Sequence, residues 1–383
     1  MSVTAPKGFR AAGIAAGIKE NGNKDLTLVV NDGPLDVAAG VFTLNKVKAA
    51  PVLWSQQVLA TGRVKAAVLN SGGANACTGA EGFQDTHKTA EHVAETLGIG
   101  AVDVAVCSTG LIGGRLPMDK LTAGVTQAAA QLEDTPAAGL AAAQAVMTTD
   151  TVPKQAQAST SGWTIGGFAK GAGMCAPNMA TMLSVLTTDA VLTQEQADAA
   201  LRAAVHETFN ALDVDGGTST NDTVLLLCSG ASGQTPEGFT EKLTEVCHEL
   251  VKQLQADAEG VTKHITITVT GAATDEEAKQ AAKVIAQDNL CKTAFFGSDP
   301  NWGRVAMAVG NAPADFDPDK LDITINGVEV CRAGGAGEDR HKADLTGRDI
   351  TVEVNLHAGP GAATVLTTDL SHGYVEENSA YSS

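Results

Sequence analysis

Between residues 239 and 254 the apolar positions Phe239, Leu243, Val246, Leu250, Val251 and Leu254 repeat at helical spacing. The stretch FTEKLTEVCHELVKQLQ is therefore predicted to be an amphipathic helix. Two further helices announce their starts. TQEQADAALRAAVHETFNAL pairs Thr193 with Gln196, and TDEEAKQAAKVIAQ pairs Thr274 with Glu277, both at capping-box spacing. The Ala-rich AAGLAAAQAVM predicts a fourth by propensity. Period-two alternation marks strands in the C-terminal third: HITITV, DITVEVNL, and LDITINGVEV, whose Asn326-Gly327 signals a hairpin. LTLVV, AAGVFTL and VKAAVLN predict buried strands nearer the N-terminus. Helices and strands mix without a strict βαβ rhythm, so the expected body is layered α/β or α+β with mostly non-parallel sheets. No low-complexity segment divides the chain. Thr-Thr-Asp occurs at 148–150, 187–189 and 367–369, twice after Val-Leu, too short a match to define a repeat.

Length and composition narrow the class. A chain of 383 residues suggests one large domain or two moderate ones. With 44% hydrophobic and 18% charged residues it is globular, and with 4% aromatics its core must rest on Ala, Val, Leu and Ile. A net charge of −18 argues against nucleic-acid binding. The seven cysteines are odd in number and widely spaced, without C-x-x-C, so the expectation is buried free thiols in a reducing cytoplasm. No signal-peptide core or membrane-length apolar run is found, and a soluble cytoplasmic protein is expected.

Several stretches carry candidate chemistry. Gly171 to Ala176 fits G-x-G-x-x-A, with Asp189 at the distance of a ribose ligand, but TMLSVLTTDA beyond it reads as a strand where a dinucleotide site needs a helix. VAVCSTGLIGG runs as a short strand into Ser108-Thr109-Gly110, a turn able to aim an N–H and a hydroxyl at one point, as an oxyanion hole requires. FFGSDPNWGRVAMAVG (295–310) reads as a buried polar loop, as do NSGGANACTG and DGGTSTNDT. In FAKGAGMCAPNMATMLSVLTTDA a loose, small-residue approach ends at Ala180-Thr181. A threonine hydroxyl is a weak nucleophile without a base, and a cut just before it would free its own α-amine for that role. An ordinary loop-to-strand junction is the alternative. No histidine pair has metal-ligand spacing.

Together, CSTGLIG, MTTDT, KGAGMCAPNMATML, ADAEGVTK, GSDPNWGR and the ending YVEENSAYSS resemble the ornithine acetyltransferases (glutamate N-acetyltransferases) of arginine biosynthesis, nearly end to end. The resemblance implies an αββα-type sandwich with mixed and antiparallel sheets, plus a smaller C-terminal α/β lobe. It implies an autoprocessed enzyme of N-terminal-nucleophile type. Self-cleavage at Ala180-Thr181 would give chains 1–180 and 181–383 that remain one folded body, with two copies of each. Thr181 would be the nucleophile, Thr109 and Gly110 the oxyanion pair. Thr148 (with Thr149 the neighbouring register), Lys170, Thr181, Glu259, Asn378 and Ser383 would bind substrate. No metal or cofactor is implied; acetyl-CoA is a possible co-substrate. N-acetylornithine and glutamate would be the substrates, joined by an acetyl-threonine intermediate. The competing expectation is an amidohydrolase or aminopeptidase of the same nucleophile type, which would pass the acyl group to water.

Overall fold

A computed structural model describes residues 3–176 and 182–380. Along the chain run β1 (Phe9–Ile14), β2 (Leu26–Asn31), β3 (Val37–Phe42), α1 (Ala50–Leu59), β4 (Ala66–Asn70), α2 (Gly79–Leu97), β5 (Val104–Ser108), α3 (Met118–Ala129) and α4 (Pro136–Ala145). They are followed by β6 (Lys154–Ser159), β7 (Thr164–Lys170), β8 (Leu183–Thr188), α5 (Gln194–Glu207), β9 (Leu212–Asp213), β10 (Thr223–Cys228) and α6 (Phe239–Ala256). The last third holds β11 (His264–Ala272), α7 (Asp275–Gln287), α8 (Asn289–Phe296), α9 (Trp302–Val309), β12 (Asp322–Ile325), β13 (Val328–Arg332), β14 (Gly335–Ala336), β15 (Asp349–Asn355), β16 (Gly361–Thr368) and α10 (His372–Ala380).

Two compact units form. The first comprises residues up to Asn210 together with Gly217–Leu254. It holds a four-stranded sheet, order β1-β2-β4-β5, and a five-stranded sheet, order β3-β10-β8-β7-β6. The sheets are mixed: β4–β5 and β8–β10 are parallel, the other pairs antiparallel. Leu28, Val68 and Val106 of one sheet and Phe168, Val185 and Leu225 of the other share a single core. Helices α3 and α4 cover the first sheet at β1 and β2, and α5 covers the second at β3 and β10. This is the expected αββα layering. The helix layer lies close: a Cβ at Gly13 of β1 would sit 1.9 Å from the Ala141 carbonyl oxygen of α4, so only glycine fits there.

The second unit, Ala211–Gly216 with the residues from Gln255 onward, is the smaller C-terminal α/β lobe. Its sheet runs β14-β13-β12-β15-β11-β16-β9. Alternate residues of β11 and β15 (Ile265, Ile267, Val269; Ile350, Val352, Val354) enter a core roofed by α7. Asn326 and Gly327, both at positive φ, turn β12 into β13 as the Asn-Gly pair predicts. The division into units is one of packing and does not fall at residue 180: β7 and β8, on either side of the expected cut, are antiparallel neighbours in one sheet, with Lys170 opposite Leu183.

The local sequence signals match the structure at most of these elements and differ at a few. Thr193 and Gln196 make both halves of a capping box on α5. That helix stops at Glu207, short of the predicted Leu212, because the Thr208 hydroxyl takes the Ala204 carbonyl (2.6 Å) and the backbone turns away into β9. The 295–310 stretch is not a loop. It contains the end of α8 and all of α9, whose start is capped by the Asn301 side chain accepting from Arg304 N–H. Six cysteines are buried as expected, but Cys77 is exposed. The strand TMLSVLTTDA predicted after the glycine stretch is β8, which leaves the dinucleotide fingerprint without its helix. No helix among the described residues is long and apolar enough to cross a membrane.

The Val-Leu-Thr-Thr-Asp coincidence has structural content. At 185–189 and at 365–369 the sequence ends a strand, β8 or β16, with a buried aspartate. Asp189 accepts from the N–H groups of Lys7 and Thr164. Asp369 accepts from those of Thr262 and Lys263 and from the Thr262 hydroxyl. In each case a carboxylate satisfies buried backbone donors at the start of the antiparallel neighbour, β7 or β11. The ribose-ligand position at Asp189 is thus occupied by a structural role.

Candidate active site

The Thr109 turn is built from the end of β5. Thr109 N–H donates to the Asn70 carbonyl (2.9 Å), and Gly73 N–H donates to the Thr109 carbonyl (3.0 Å). Gly110 follows at φ +125°, where an added Cβ would lie 2.7 Å from Gly73 N, so a side chain is excluded by both conformation and space. Buried amides knit the surrounding loops. Ser108 Oγ donates to Asn70 Oδ1, and Asn221 Nδ2 donates to the carbonyls of Ala74 (2.6 Å) and Ser108 (2.8 Å). Among the described residues no acceptor takes Gly110 N–H. Lys170 Nζ, at the end of β7, donates to Thr109 Oγ1 at 3.5 Å, leaving the hydroxyl proton for another acceptor. Gly110 N–H and Thr109 O–H are the donor pair that an oxyanion would use.

Lys170 is fully buried, and it faces two carboxyls held in opposite states. Asp150 Oδ1 accepts from Lys154 Nζ (2.7 Å) and from Gly171 N–H (2.7 Å), and its Oδ2 accepts from Thr148 N–H (3.0 Å). Burial would raise the Asp150 pKa. The charges of Lys170 and Lys154 and these hydrogen bonds outweigh burial and bring it to about 2. Asp222 is the opposite case. Burial pushes its pKa well above the carboxylate range, against the Met182 amide, the charge of Lys170 and Ser219. Two carboxyls driven apart around one cation are the pattern that separates a fixed charge from a proton carrier.

Thr148 lines a cleft of about 350 Å³ with Lys19, Asn23, Lys24, Gln144 and Thr151. Thr149 is not among its lining residues. Burial lowers the Lys19 pKa, the charge of Asp25 opposes this, and Lys170 lowers it further. In the second unit Asn378 of α10 donates from Nδ2 to Glu259 Oε2 at 2.9 Å, so these two expected substrate contacts are partners across 119 residues of sequence. The structure thus joins Thr109, Gly110 and Lys170, ties Thr148 to them through Asp150, and separately joins Glu259 to Asn378. Ala180, Thr181 and Ser383 lie outside the described residues. Sequence reasoning missed Asp150, Lys154, Asn221 and Asp222 as site residues: Asp150 stands in MTTDT and Asn221 and Asp222 in DGGTSTNDT, whereas Lys154 is in no quoted stretch. Among the described residues no cluster of three His, Cys, Asp or Glu is placed to hold a metal.

An αββα body with an oxyanion-type turn beside a buried lysine defines a candidate acyl-transfer site. Comparison with known proteins gives the family. ArgJ matches residues 10–383. The bifunctional arginine-biosynthesis protein ArgJ of Mycolicibacterium paratuberculosis is 61% identical over 389 residues, 100% of this chain and 96% of that one. The ArgJ of Thermobifida fusca is 61% identical over 384 residues and covers 100% of both chains. A crystal structure of ornithine acetyltransferase from Mycobacterium tuberculosis, complexed with ornithine, is 60% identical over 48% of this chain and 96% of its own, with a TM-score of 0.46. The chain belongs to the ArgJ family.

Proposed function

We propose that this protein moves the acetyl group of N-acetylornithine to glutamate in arginine biosynthesis, in the cytoplasm, through an acetyl-threonine on Thr181. The observation that carries this reading is the end-to-end match, at 61% identity, to bifunctional arginine-biosynthesis proteins. The chain cuts itself at Ala180-Thr181 into fragments 1–180 and 181–383, which stay together, two of each. The freed amine of Thr181 takes the proton of its own hydroxyl. The oxygen attacks the acetyl carbonyl, and the tetrahedral oxyanion is held by Gly110 N–H and Thr109 O–H, each supplying about 3 kcal/mol to the transition state. Ornithine leaves, and the amine of glutamate attacks the ester, giving N-acetylglutamate. Lys170 takes the substrate carboxylate and Glu259 its ammonium; Thr148, Thr181, Asn378 and Ser383 are further substrate contacts. No metal or cofactor takes part. Acetyl-CoA serves as a second donor, a role supported by the description of the relatives as bifunctional.

Incubation with N-acetylornithine and glutamate tests the proposal. Ornithine and N-acetylglutamate are expected to appear in equal amounts. Ornithine with free acetate, and no N-acetylglutamate, would show acyl transfer to water and overturn it in favour of an amidohydrolase. Gly110→Ala is expected to lower kcat by about 10²–10³-fold, because the added methyl displaces an oxyanion donor. Steady-state kinetics check this, with a thermal melt to confirm folding.

A further inference from the structure

Asp222 has no part in the mechanism above, yet the fold holds it against the amide of Met182, the residue that follows Thr181 in sequence. It precedes β10 as Met182 precedes β8, and the two strands pair in parallel with Thr223 opposite Leu183. Three hydrogen bonds lock the junction. Met182 N–H donates to Asp222 Oδ1 (2.9 Å), Thr223 N–H donates to the Met182 carbonyl (3.1 Å), and Thr43 N–H donates to the Asp222 carbonyl (3.0 Å). The side chain is fully buried, and among the described residues its Oδ2 has no partner. An ionised carboxylate with one oxygen buried and unpaired is costly, and the neutral acid avoids much of that cost. The upward pKa shift agrees with this; Lys170 is the charged group facing Asp222, and Ser219 the polar one.

Met182 N belongs to the peptide directly after Thr181. The carboxyl bonded to that amide is therefore one peptide unit along the chain from the Ala180-Thr181 bond of the proposed cut. We propose that Asp222 is the proton donor for self-cleavage, an assignment that rests on the reading of Thr181 as the self-cleaving residue. The Thr181 hydroxyl oxygen bonds to the Ala180 carbonyl carbon, and the carbon–nitrogen bond breaks. Asp222 Oδ2–H gives its proton to the departing nitrogen, which becomes the α-amine. The resulting carboxylate takes the proton of the hydroxyl, so the acid is restored. Water then hydrolyses the ester, leaving the Ala180 carboxyl and the free Thr181 hydroxyl.

The test follows cleavage of the full chain, made in a cell-free system and shifted to buffers from about pH 5 to pH 10, by gel and intact mass. Wild type, Asp222→Asn and Thr181→Ala are compared. Asn keeps the oxygen that accepts from Met182 N–H but has no acid proton, so Asp222→Asn is expected to cut about 100-fold more slowly. Wild-type cleavage is expected to fall as the pH rises through the raised pKa of Asp222, and Asp222→Asn to lack that limb. Cleavage of Asp222→Asn within twofold of wild type with the same pH profile would overturn the proposal. Should Asp222→Asn fail to fold, the wild-type profile decides: a rate that climbs without a high-pH decline overturns it. A wild type that is never cut, or a Thr181→Ala that is, would overturn the reading of Thr181 itself, whatever Asp222→Asn does.

Discussion

Thr181→Ala is expected to leave the 383-residue chain whole and to lower acetyl transfer by roughly ten-thousand-fold or more, because nucleophile and base are lost together. Intact mass should show one species where wild type shows two, the second beginning at Thr181. Thr181→Ser keeps a hydroxyl and an amine and should still be cut. A Thr181→Ala protein that transfers acetyl at the wild-type rate would remove Thr181 from the chemistry. The melting temperature separates these outcomes from misfolding. The variant keeps the core residues of β7 and β8, Phe168 and Val185, so the uncut chain should melt close to wild type.

The second large effect concerns Asp150. Asp150→Ala removes the carboxylate between two buried ammonium groups, Lys154 at 2.7 Å and Lys170 close by, and leaves buried positive charge uncompensated. Breaking such a pair costs about 3–5 kcal/mol, measurable by urea denaturation. The same carboxylate gives stability a pH dependence. Its folded pKa, about 2, lies below the ordinary 3.8, so its contribution is fully present above pH 4 or so. That contribution, about 2 kcal/mol, is lost as the pH falls from roughly 4 towards 2. Asp150→Asn should show a shallower loss over that window. An unchanged acid limb would mean that Asp150 is not held ionised by its lysines.

What could be read from the sequence was what neighbouring residues decide. Asn326-Gly327 makes a hairpin from two residues, and Thr193-Gln196 makes a cap from four, so both appeared where expected. The αββα layering and the smaller lobe followed from the family resemblance, not from spacing. The candidate site was legible as motifs and illegible as geometry. Lys170 stood in KGAGM and Thr109 in CSTG, but that they meet depends on where β7 and β5 end, 61 residues apart. Asp222 and Met182 are 40 residues apart and become partners only because β8 and β10 pair in one register. A carboxylate's burial is a property of the assembled fold, and nothing in DGGTSTNDT distinguishes Asp222 from Asp215. The Trp302 helix is hidden in the sequence for the opposite reason: Ser298, Asp299 and Asn301 have loop character, whereas Asn301 is the helix cap.

The strand order β3-β10-β8-β7-β6 has a consequence for a chain cut between β7 and β8. The C-terminal polypeptide then supplies the adjacent strands β8 and β10, and the N-terminal polypeptide supplies β3 on one flank and β7 and β6 on the other. One fragment is interleaved with the other, clasped from both sides by backbone ladders inside a common core. The two cannot slide apart as docked subunits do; separation requires dismantling the sheet. Cutting would therefore change the molecularity of folding while leaving its architecture intact. The uncut chain folds in a first-order process, whereas the cut protein, once fully unfolded, must find its partner by collision, so its recovery from denaturant should fall with dilution.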